Sequence, residues 1–89
     1  MELKMIEENK NRLVFEVESN YGLAELLIQE LRKDKSINVA TYAKDHPENK
    51  EIRYIIEGND VKKSIKDAIK KLKERNNQFL KLIDEKINE

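Results

Sequence analysis

The chain has 89 residues with no cysteine and no tryptophan, and its 18 basic residues balance 18 acidic ones. This length suits one domain with a small core, the lack of cysteine excludes disulfides and thiolate metal sites, and the balanced charge gives no net field for attracting nucleic acid. The first residues carry no long apolar run, and no segment has the ~20 apolar residues of a membrane span. We therefore expect a single cytoplasmic domain over residues 1–89.

The first third of the chain alternates with a period of two and then changes to a helical period. Leu3–Ile6 and Arg12–Glu18 are separated by a polar turn, which predicts a β-hairpin. Ser19 and Asn20 are good helix N-caps, and the helix that they begin has a wide apolar arc: Leu23, Leu26, Leu27, Ile28 and Leu31. Packing on one sheet needs an arc of only about 100°. Two interpretations stay open: a helix buried wholly in its own core, or a helix with one flank against a partner.

Two further strands flank a second polar loop. Ile37–Ala43 and Glu51–Glu57 both alternate with a period of two, which predicts strands with one buried face each. The loop between them contains Pro47, which lacks a backbone donor and pushes the preceding His46 towards extended geometry. The two strands are therefore expected to be neighbours in an antiparallel sheet.

From Asn59 to the C-terminus the sequence predicts one long amphipathic helix. Asn59 or Asp60 can cap its start, and neither glycine nor proline follows. Its apolar stripe consists of Val61, Ile65, Ala68, Ile69, Leu72, Phe79, Leu80, Ile83 and Ile87. Such a helix spans roughly 40 Å, about twice the ~20 Å of a short strand. Because contiguous exposed apolar surface is rare on soluble monomers, part of the stripe is expected to face a second chain.

The resulting order of elements is β-β-α-β-β-α. Four short strands with short connections favour an antiparallel sheet, and the two amphipathic helices favour packing on one of its faces. The predicted fold class is therefore α+β, with a four-stranded antiparallel sheet, two helices on one face and a long C-terminal helix.

Several short segments in a fixed order give the chain a family likeness. They are Leu31-Arg32-Lys33, Val39-Ala40-Thr41-Tyr42, His46-Pro47, the strand through Ile55 and the turn Gly58-Asn59-Asp60. Over nearly its full length the chain resembles archaeal RNA polymerase subunit L, the small alpha-like assembly subunit family. That family usually opens its first helix with His-Thr-Leu-x-Asn, whereas Tyr21-Gly22-Leu23-Ala24-Glu25 keeps only the leucine. The resemblance therefore does not extend to the contacts of Tyr21 and Glu25.

The resemblance implies an alpha-subunit dimerisation fold and no catalysis by the chain itself. Such subunits pair through their helices with the D subunit of the polymerase, and the pair is the platform for the large catalytic subunits and the small subunits N and P. On this basis the expected partner interface is Leu23, Leu26, Leu27, Ile28, Leu31, Ile65, Ile69, Leu72, Phe79, Leu80, Ile83 and Ile87. His46 and Pro47 form the family motif loop. Direct contact with nucleic acid or membrane is not expected.

The residues themselves predict no catalytic, cofactor or metal site. Gly22 and Gly58 are the only glycines and lie far apart in sequence, so there is no glycine-rich phosphate loop. His46 is the only histidine, so no His/Cys ligand set exists for zinc. A lone loop histidine is most often a structural or surface group, because acid–base catalysis would need a partner that the sequence does not supply.

Two other functions stay open. The stretch from Asp60 to Arg75 has seven basic and three acidic residues, which is typical of the solvated back of an amphipathic helix but could also contact phosphates. The chain could instead form a homodimer that closes the same helices around a two-fold axis.

Overall fold

The alternating segments form one antiparallel sheet. In the computed structural model, which describes residues 2–44, 50–72 and 78–88, the strands are β1 (Leu3–Glu8), β2 (Arg12–Glu18), β3 (Ile37–Ala43) and β4 (Glu51–Gly58). The helices are α1 (Tyr21–Arg32), α2 (Val61–Leu72) and α3 (Gln78–Ile87). The order of the strands in the sheet is β1-β2-β4-β3, and each neighbouring pair is antiparallel. The predicted α+β class and antiparallel sheet are confirmed, whereas the loop with His46 and Pro47 lies outside the described residues.

All three helices cover the same face of the sheet. Because side chains alternate along a strand, six residues of β2 and β4 point to this face, and all six are fully buried: Leu13, Phe15, Val17, Ile52, Tyr54 and Ile56. α1 contacts β3 at one edge, α2 contacts the central strands β2 and β4, and α3 contacts β1 at the other edge. The core therefore lies between the sheet and a layer of helices that spans its full width.

The opposite face of the sheet carries ion pairs, although Val14 on this face is only 5% exposed. Arg53 Nη2 lies 2.8 Å from Glu16 Oε2, and Arg12 Nε lies 3.0 Å from Glu7 Oε1. Ile6 lies where the register of β1 shifts between Met5 and Glu7, and it is 51% exposed. Exposed ion pairs of this kind contribute at most about 1 kcal/mol each, so most of the stability of the fold comes from the apolar face of the sheet.

The strand β3 lies at an edge of the sheet and contains no charged residue. Its register shifts between Ile37 and Val39, and Arg32 Nε donates a hydrogen bond to the carbonyl oxygen of Ala40 at 3.1 Å. Irregular register and covering side chains both hinder the pairing of an edge strand with another chain. The edge is thus protected by its shape and by one residue of α1.

Side-chain caps begin the first two helices as the sequence predicts. Asn20 Oδ1 accepts a hydrogen bond from the backbone N–H of Leu23 at 2.9 Å, and Asp60 Oδ1 accepts one from the N–H of Lys63 at 3.4 Å. Each cap satisfies a backbone donor that has no partner inside its helix.

The C-terminal region differs from the predicted single helix. α2 ends at Leu72 and α3 begins at Gln78, while residues 73–77 lie outside the described part. The apolar residues of α3 are at most 3% exposed: Phe79, Leu80, Ile83 and Ile87. The longest dimension of the protein is 34 Å, less than the roughly 40 Å of the predicted helix.

In this structure the α3 part of the stripe packs on the chain's own sheet, and contact of the stripe with a second chain stays a prediction. Burying an apolar side chain contributes roughly 1.5–3 kcal/mol, whereas each extra backbone hydrogen bond of a longer helix contributes about 1 kcal/mol. Packing α3 onto the sheet consequently outweighs extending α2.

Gly58 ends β4 at a point where the backbone of β3 passes very close. A Cβ atom on Gly58 would lie 2.5 Å from the carbonyl oxygen of Ser36 and 3.1 Å from Cα of Ile37. The corner cannot move easily, because Gly58 N–H donates to the carbonyl of Asn11 at 3.0 Å and Asn11 Nδ2 donates to the carbonyl of Gly58 at 3.0 Å. The position requires glycine for lack of space.

We expect Gly58→Ala to lower the free energy of unfolding by about 1–3 kcal/mol, since two backbone segments must separate. Urea denaturation measures this change. Gly22→Ala is the matched control: its nearest neighbour would be the side-chain oxygen of Asn20 at 3.2 Å, and alanine favours helix more than glycine does. Equal losses in the two variants would contradict this account of Gly58.

A polar network joins the end of α1, the start of β3 and α2. Asp34 Oδ1 accepts hydrogen bonds from the N–H of Ser36 at 2.8 Å and from its hydroxyl at 2.7 Å. The Ser36 hydroxyl lies 3.1 Å from the hydroxyl of Ser64. Ser64 is buried, with 4% of its surface exposed. The hydrogen bond from the Ser36 hydroxyl, followed by that from its backbone N–H, lowers the pKa of Asp34.

The lowered pKa of Asp34 makes its contribution to stability depend on pH. A carboxylate with a lowered folded-state pKa stabilises the protein above the unfolded pKa of about 3.9, and this contribution is lost as pH falls through the folded value. We expect Asp34→Asn to lower Tm at neutral pH and to have a progressively smaller effect below about pH 4. Thermal unfolding across this range measures the difference, with Asp84→Asn on α3 as the control for the loss of one charge. A difference for Asp34→Asn that is constant with pH would contradict the role of its carboxylate.

Candidate functional site

The helix α1 divides its apolar residues between the core and the surface. Ala24, Leu27, Ile28 and Leu31 are fully buried, whereas Leu26 is 36% exposed. Leu26 and Ile28 flank the core-facing stripe of α1 on opposite sides. Their exposure shows which of the two sides is available to a partner. The Ile28 flank belongs to the core, and the Leu26 flank is open.

An open groove follows the outer side of α1 and reaches the last residue of α2. It encloses about 320 Å³. Its lining residues are Gly22, Glu25, Leu26, Gln29, Glu30, Lys33 and Leu72, and we call it the outer groove. Leu26 and Leu72 are its large apolar side chains, and most of the others are polar or charged. An apolar centre with polar neighbours is typical of a protein–protein contact.

The carboxylate of Glu25 is fixed beside Leu26 by two hydrogen bonds. Gln29 Nε2 donates to Oε2 at 3.0 Å, and the hydroxyl of Tyr42 donates to Oε1 at 2.8 Å. The bond from Gln29, followed by that from Tyr42, lowers the pKa of Glu25, while the bond to Glu25 raises the pKa of Tyr42. The outer groove thus presents a negative charge in a defined position.

Aromatic rings connect this surface to the core. The ring centroid of Tyr21 lies 6.1 Å from that of Tyr42, which lies 6.3 Å from that of Tyr54. Tyr54 stacks on Phe15 at 5.1 Å and lies 5.7 Å from Phe79 on α3. The rings come from five different elements, so no local sequence pattern could have predicted the row. Tyr54 is buried and Tyr21 is 56% exposed, so the row does not form an open stacking platform for bases.

The predicted interface residues fall into two groups. Eight are buried inside this chain: Leu27, Ile28, Leu31, Ile65, Phe79, Leu80, Ile83 and Ile87. Four are exposed or half-buried: Leu23, Leu26, Ile69 and Leu72. The first group is not accessible to a partner in this structure. The sequence did not separate residues that face the sheet from residues that face a partner, and contact of either group with a partner stays a prediction. Of the second group, Leu26 and Leu72 meet in the outer groove.

The described residues contain no group of three or more His, Cys, Asp and Glu side chains that could hold a metal ion. None of the helices in the described part of the chain is both long and apolar enough to cross a membrane.

A family model and a curated relative show one family, and a solved structure shares the fold. The model of the RNA polymerase Rpb3/Rpb11 dimerisation domain matches residues 12–82, a range that begins with β2, includes the whole outer groove and ends inside α3. DNA-directed RNA polymerase subunit Rpo11 of Methanothermobacter thermautotrophicus is 33% identical over 84 residues, which cover 94% of this chain and 98% of that protein. The crystal structure of DNA-directed RNA polymerase subunit L from Thermoplasma acidophilum shows the same fold, with a TM-score of 0.69 and 21% identity over 98% of this chain and 89% of that one.

The matched region is a dimerisation domain by description, and its range contains the exposed Leu26 flank of α1. The resemblance inferred from the sequence is confirmed at this level. The chain belongs to the RNA polymerase Rpb3/Rpb11 dimerisation domain family.

Proposed function

We propose that this chain is a non-catalytic assembly subunit of an archaeal DNA-directed RNA polymerase and that it acts by pairing with the D subunit. The observation that carries the proposal is the outer groove, where Leu26 is 36% exposed and Leu72 is half-buried, within a domain whose family is defined by dimerisation. The resulting pair would be the platform for the large catalytic subunits and for subunits N and P, as the resemblance implies. We propose that residues 1–89 act in this role as a single domain.

The mechanism is the burial of helix surface between two chains. Each Å² of apolar surface removed from water contributes about 25 cal/mol, and association itself costs several kcal/mol. A stable pair buries about 1,200–2,000 Å² in total, so the contact must extend beyond the groove. Tyr21 at the start of α1 is 56% exposed and could extend the contact.

The fixed charge of Glu25 predicts the chemistry of the partner. Its carboxylate is held beside Leu26, so a helix that places an apolar side chain against Leu26 would gain from a Lys or Arg close to Glu25. Such a pair adds specificity and sets register more than it adds affinity.

The direct test is to mix the purified chain with the D subunit from the same genome and to measure the mass of the product by size-exclusion chromatography with light scattering. We expect a 1:1 complex, and calorimetry is expected to give a Kd below about 1 μM, as for a standard-size interface. The chain alone is expected to be a monomer. A dimer of the chain alone would instead support the homodimer, and no complex with the D subunit would refute the proposal.

Nucleic-acid binding by α2 is a second candidate. Lys63, Lys66 and Lys70 recur along one side of α2, and in the described part of the chain they form no ion pair, whereas Lys62 pairs with Glu8. Binding of labelled single-stranded and duplex DNA at low and at moderate salt would test it, because phosphate contacts weaken steeply with salt. No binding at low salt would remove this candidate.

A further inference from the structure

The outer edge of β3 directs backbone groups away from the sheet. On β4, the N–H of Gly58 donates to the residue that precedes β2. Because the direction of the backbone groups alternates along an antiparallel strand, Ile55 of β4 is turned towards β3, where it pairs with Thr41. By the same alternation, Ala40 and Tyr42 of β3 point their N–H and C=O groups outwards. This edge can therefore accept one further strand.

The side chain of Arg32 lies at this edge with only part of its guanidinium group engaged. Its Nε donates to the carbonyl oxygen of Ala40 at 3.1 Å, and within residues 2–44, 50–72 and 78–88 its two Nη atoms make no hydrogen bond or ion pair. A guanidinium can bind a carboxylate through two parallel N–H groups. Arg32 thus has unused capacity for an anion beside a strand that carries no charge of its own.

A carboxylate of the chain itself lies in this region but is already occupied. Glu25 accepts hydrogen bonds from Gln29 and Tyr42. These bonds and, after them, the charge of Arg32 lower the pKa of Glu25, yet among the described residues Glu25 forms no ion pair with Arg32. Lys44 directly follows β3 and adds a second positive charge at the end of the strand. The charges at the edge therefore favour an acidic segment from outside.

The geometry of the edge fixes where an added strand must carry its acidic residue. In an antiparallel pair, two residues directly opposite each other share backbone hydrogen bonds and place their side chains on the same face. The side chain of Ala40 is only 7% exposed and lies on the helix side of the sheet, where α1 contacts β3. A residue opposite Ala40 would therefore project towards Arg32.

The backbone N–H of that opposite residue would also donate to the carbonyl oxygen that Arg32 now occupies. If the residue is acidic, its carboxylate receives the released guanidinium, so both groups keep a partner. If the residue is uncharged, Arg32 loses its hydrogen bond and gains no anion. Arg32 thus discriminates against uncharged strands, which include the β3 edge of a second copy.

We propose that the outer edge of β3 is a docking site for an extended acidic segment of another protein, which adds as a further antiparallel strand and binds Arg32 through a carboxylate opposite Ala40. The backbone hydrogen bonds supply the binding, and the carboxylate supplies the selectivity. Neither Arg32 nor Ala40 lines the outer groove, so the docking site does not depend on the proposed pairing with the D subunit.

The test is an NMR titration of the isotope-labelled whole chain with two synthetic peptides. The probe is an acetylated and amidated threonine-rich peptide with the seven-residue length of β3 and one glutamate at its centre. The matched peptide has glutamine at that place. Two variants of the chain are compared with the unmodified protein: Arg32→Gln, and Lys35→Gln in the exposed turn before β3 as the control for the loss of one positive charge.

We expect the glutamate peptide to shift the amide signals of Ala40 and Tyr42, which gain hydrogen-bond partners, and to leave the amide of Thr41, already paired with β4, nearly unchanged. With the unmodified chain and with Lys35→Gln, its Kd is expected to be about 5-fold lower than that of the glutamine peptide, as for one exposed ion pair. With Arg32→Gln the two Kd values should be equal.

Two results would overturn the proposal. Equal Kd values for the two peptides with the unmodified chain would show that Arg32 does not select a carboxylate. Signal changes confined to residues outside β3, or no change with either peptide, would show that this edge does not accept a strand.

Discussion

Leu26→Asp is expected to weaken the binding of the D subunit by about 30- to 1,000-fold and to leave the fold of the free chain unchanged. Leu26 is 36% exposed and lines the outer groove together with Leu72, so the free protein already leaves part of this side chain in water. In the complex the same position would bury a carboxylate beside the fixed charge of Glu25. Losing a central apolar contact at an interface costs about 2–4 kcal/mol, which corresponds to a factor of about 30 to 1,000.

Isothermal titration calorimetry with the D subunit measures this loss, and thermal unfolding of the free variant checks the fold. The matched control is Ile6→Asp, the same kind of change at a residue of β1 that is 51% exposed and does not line the outer groove. Its affinity is expected to stay within about 2-fold of the unmodified chain, since surface substitutions outside an interface have small effects. If Leu26→Asp bound as tightly as the control, the outer groove would not be the contact surface.

Tyr54→Ala is expected to lower the free energy of unfolding by about 3–5 kcal/mol. Tyr54 is fully buried in the centre of the sheet, stacks on Phe15 and touches Phe79. Its removal would leave a cavity below α3 and deprive the hydroxyl of Ser19 of a partner at 2.7 Å. Because small domains have total stabilities of about 5–15 kcal/mol, this change would bring the free chain close to unfolding, which urea denaturation would show.

Tyr54→Phe is the control because it removes the hydroxyl and keeps the ring. It is expected to lower the free energy of unfolding by about 1 kcal/mol, the net contribution of one hydrogen bond.

Burial raises the pKa of Tyr54 to about 12. The unmodified chain should therefore lose stability as pH rises from about 10, the pKa of tyrosine in the unfolded chain, towards the pKa of Tyr54 in the folded chain. The Tyr54→Phe variant lacks this group and is expected to lose less stability over that range. Similar losses for the Ala and Phe variants at neutral pH would show that the ring does not support the core.

The strands and the first helix were predictable because their signals are local. β2 and β3 have the predicted bounds, since alternation in each is uninterrupted and polar turns end it. Asn20 caps α1 as predicted, because the cap needs only a side chain three residues from its donor. The fold class follows from these elements by simple packing rules.

The separation of α2 from α3 could not be predicted from the sequence. The apolar period continues in phase through Ile83 and Ile87, and periodicity reports which side of a helix is apolar without telling what covers it. The choice depends on the balance between packing on β1 and extension of the helix, which is a property of the whole fold. The length of the apolar stripe therefore did not indicate how much of it is exposed in this chain.

The outer groove was predictable only in part. The sequence identified Leu26 and Ile28 as flanks of one stripe, but the register of α1 on the sheet decides which of them is free. The close approach at Gly58 and the network of Asp34 with Ser36 and Ser64 join elements that are distant in sequence. Contacts of this kind leave no periodic pattern.

The uncharged outer strand has a consequence for the handling of this protein. β3 has unpaired backbone groups at its outer edge and lacks the charged side chains that usually prevent an edge strand from pairing with another molecule. In the middle of β3, the carbonyl of Ala40 accepts a hydrogen bond from Arg32. We expect Arg32→Ala to expose this carbonyl and to make concentrated solutions turbid through strand addition, while the free energy of unfolding falls by only about 1 kcal/mol, the contribution of one hydrogen bond.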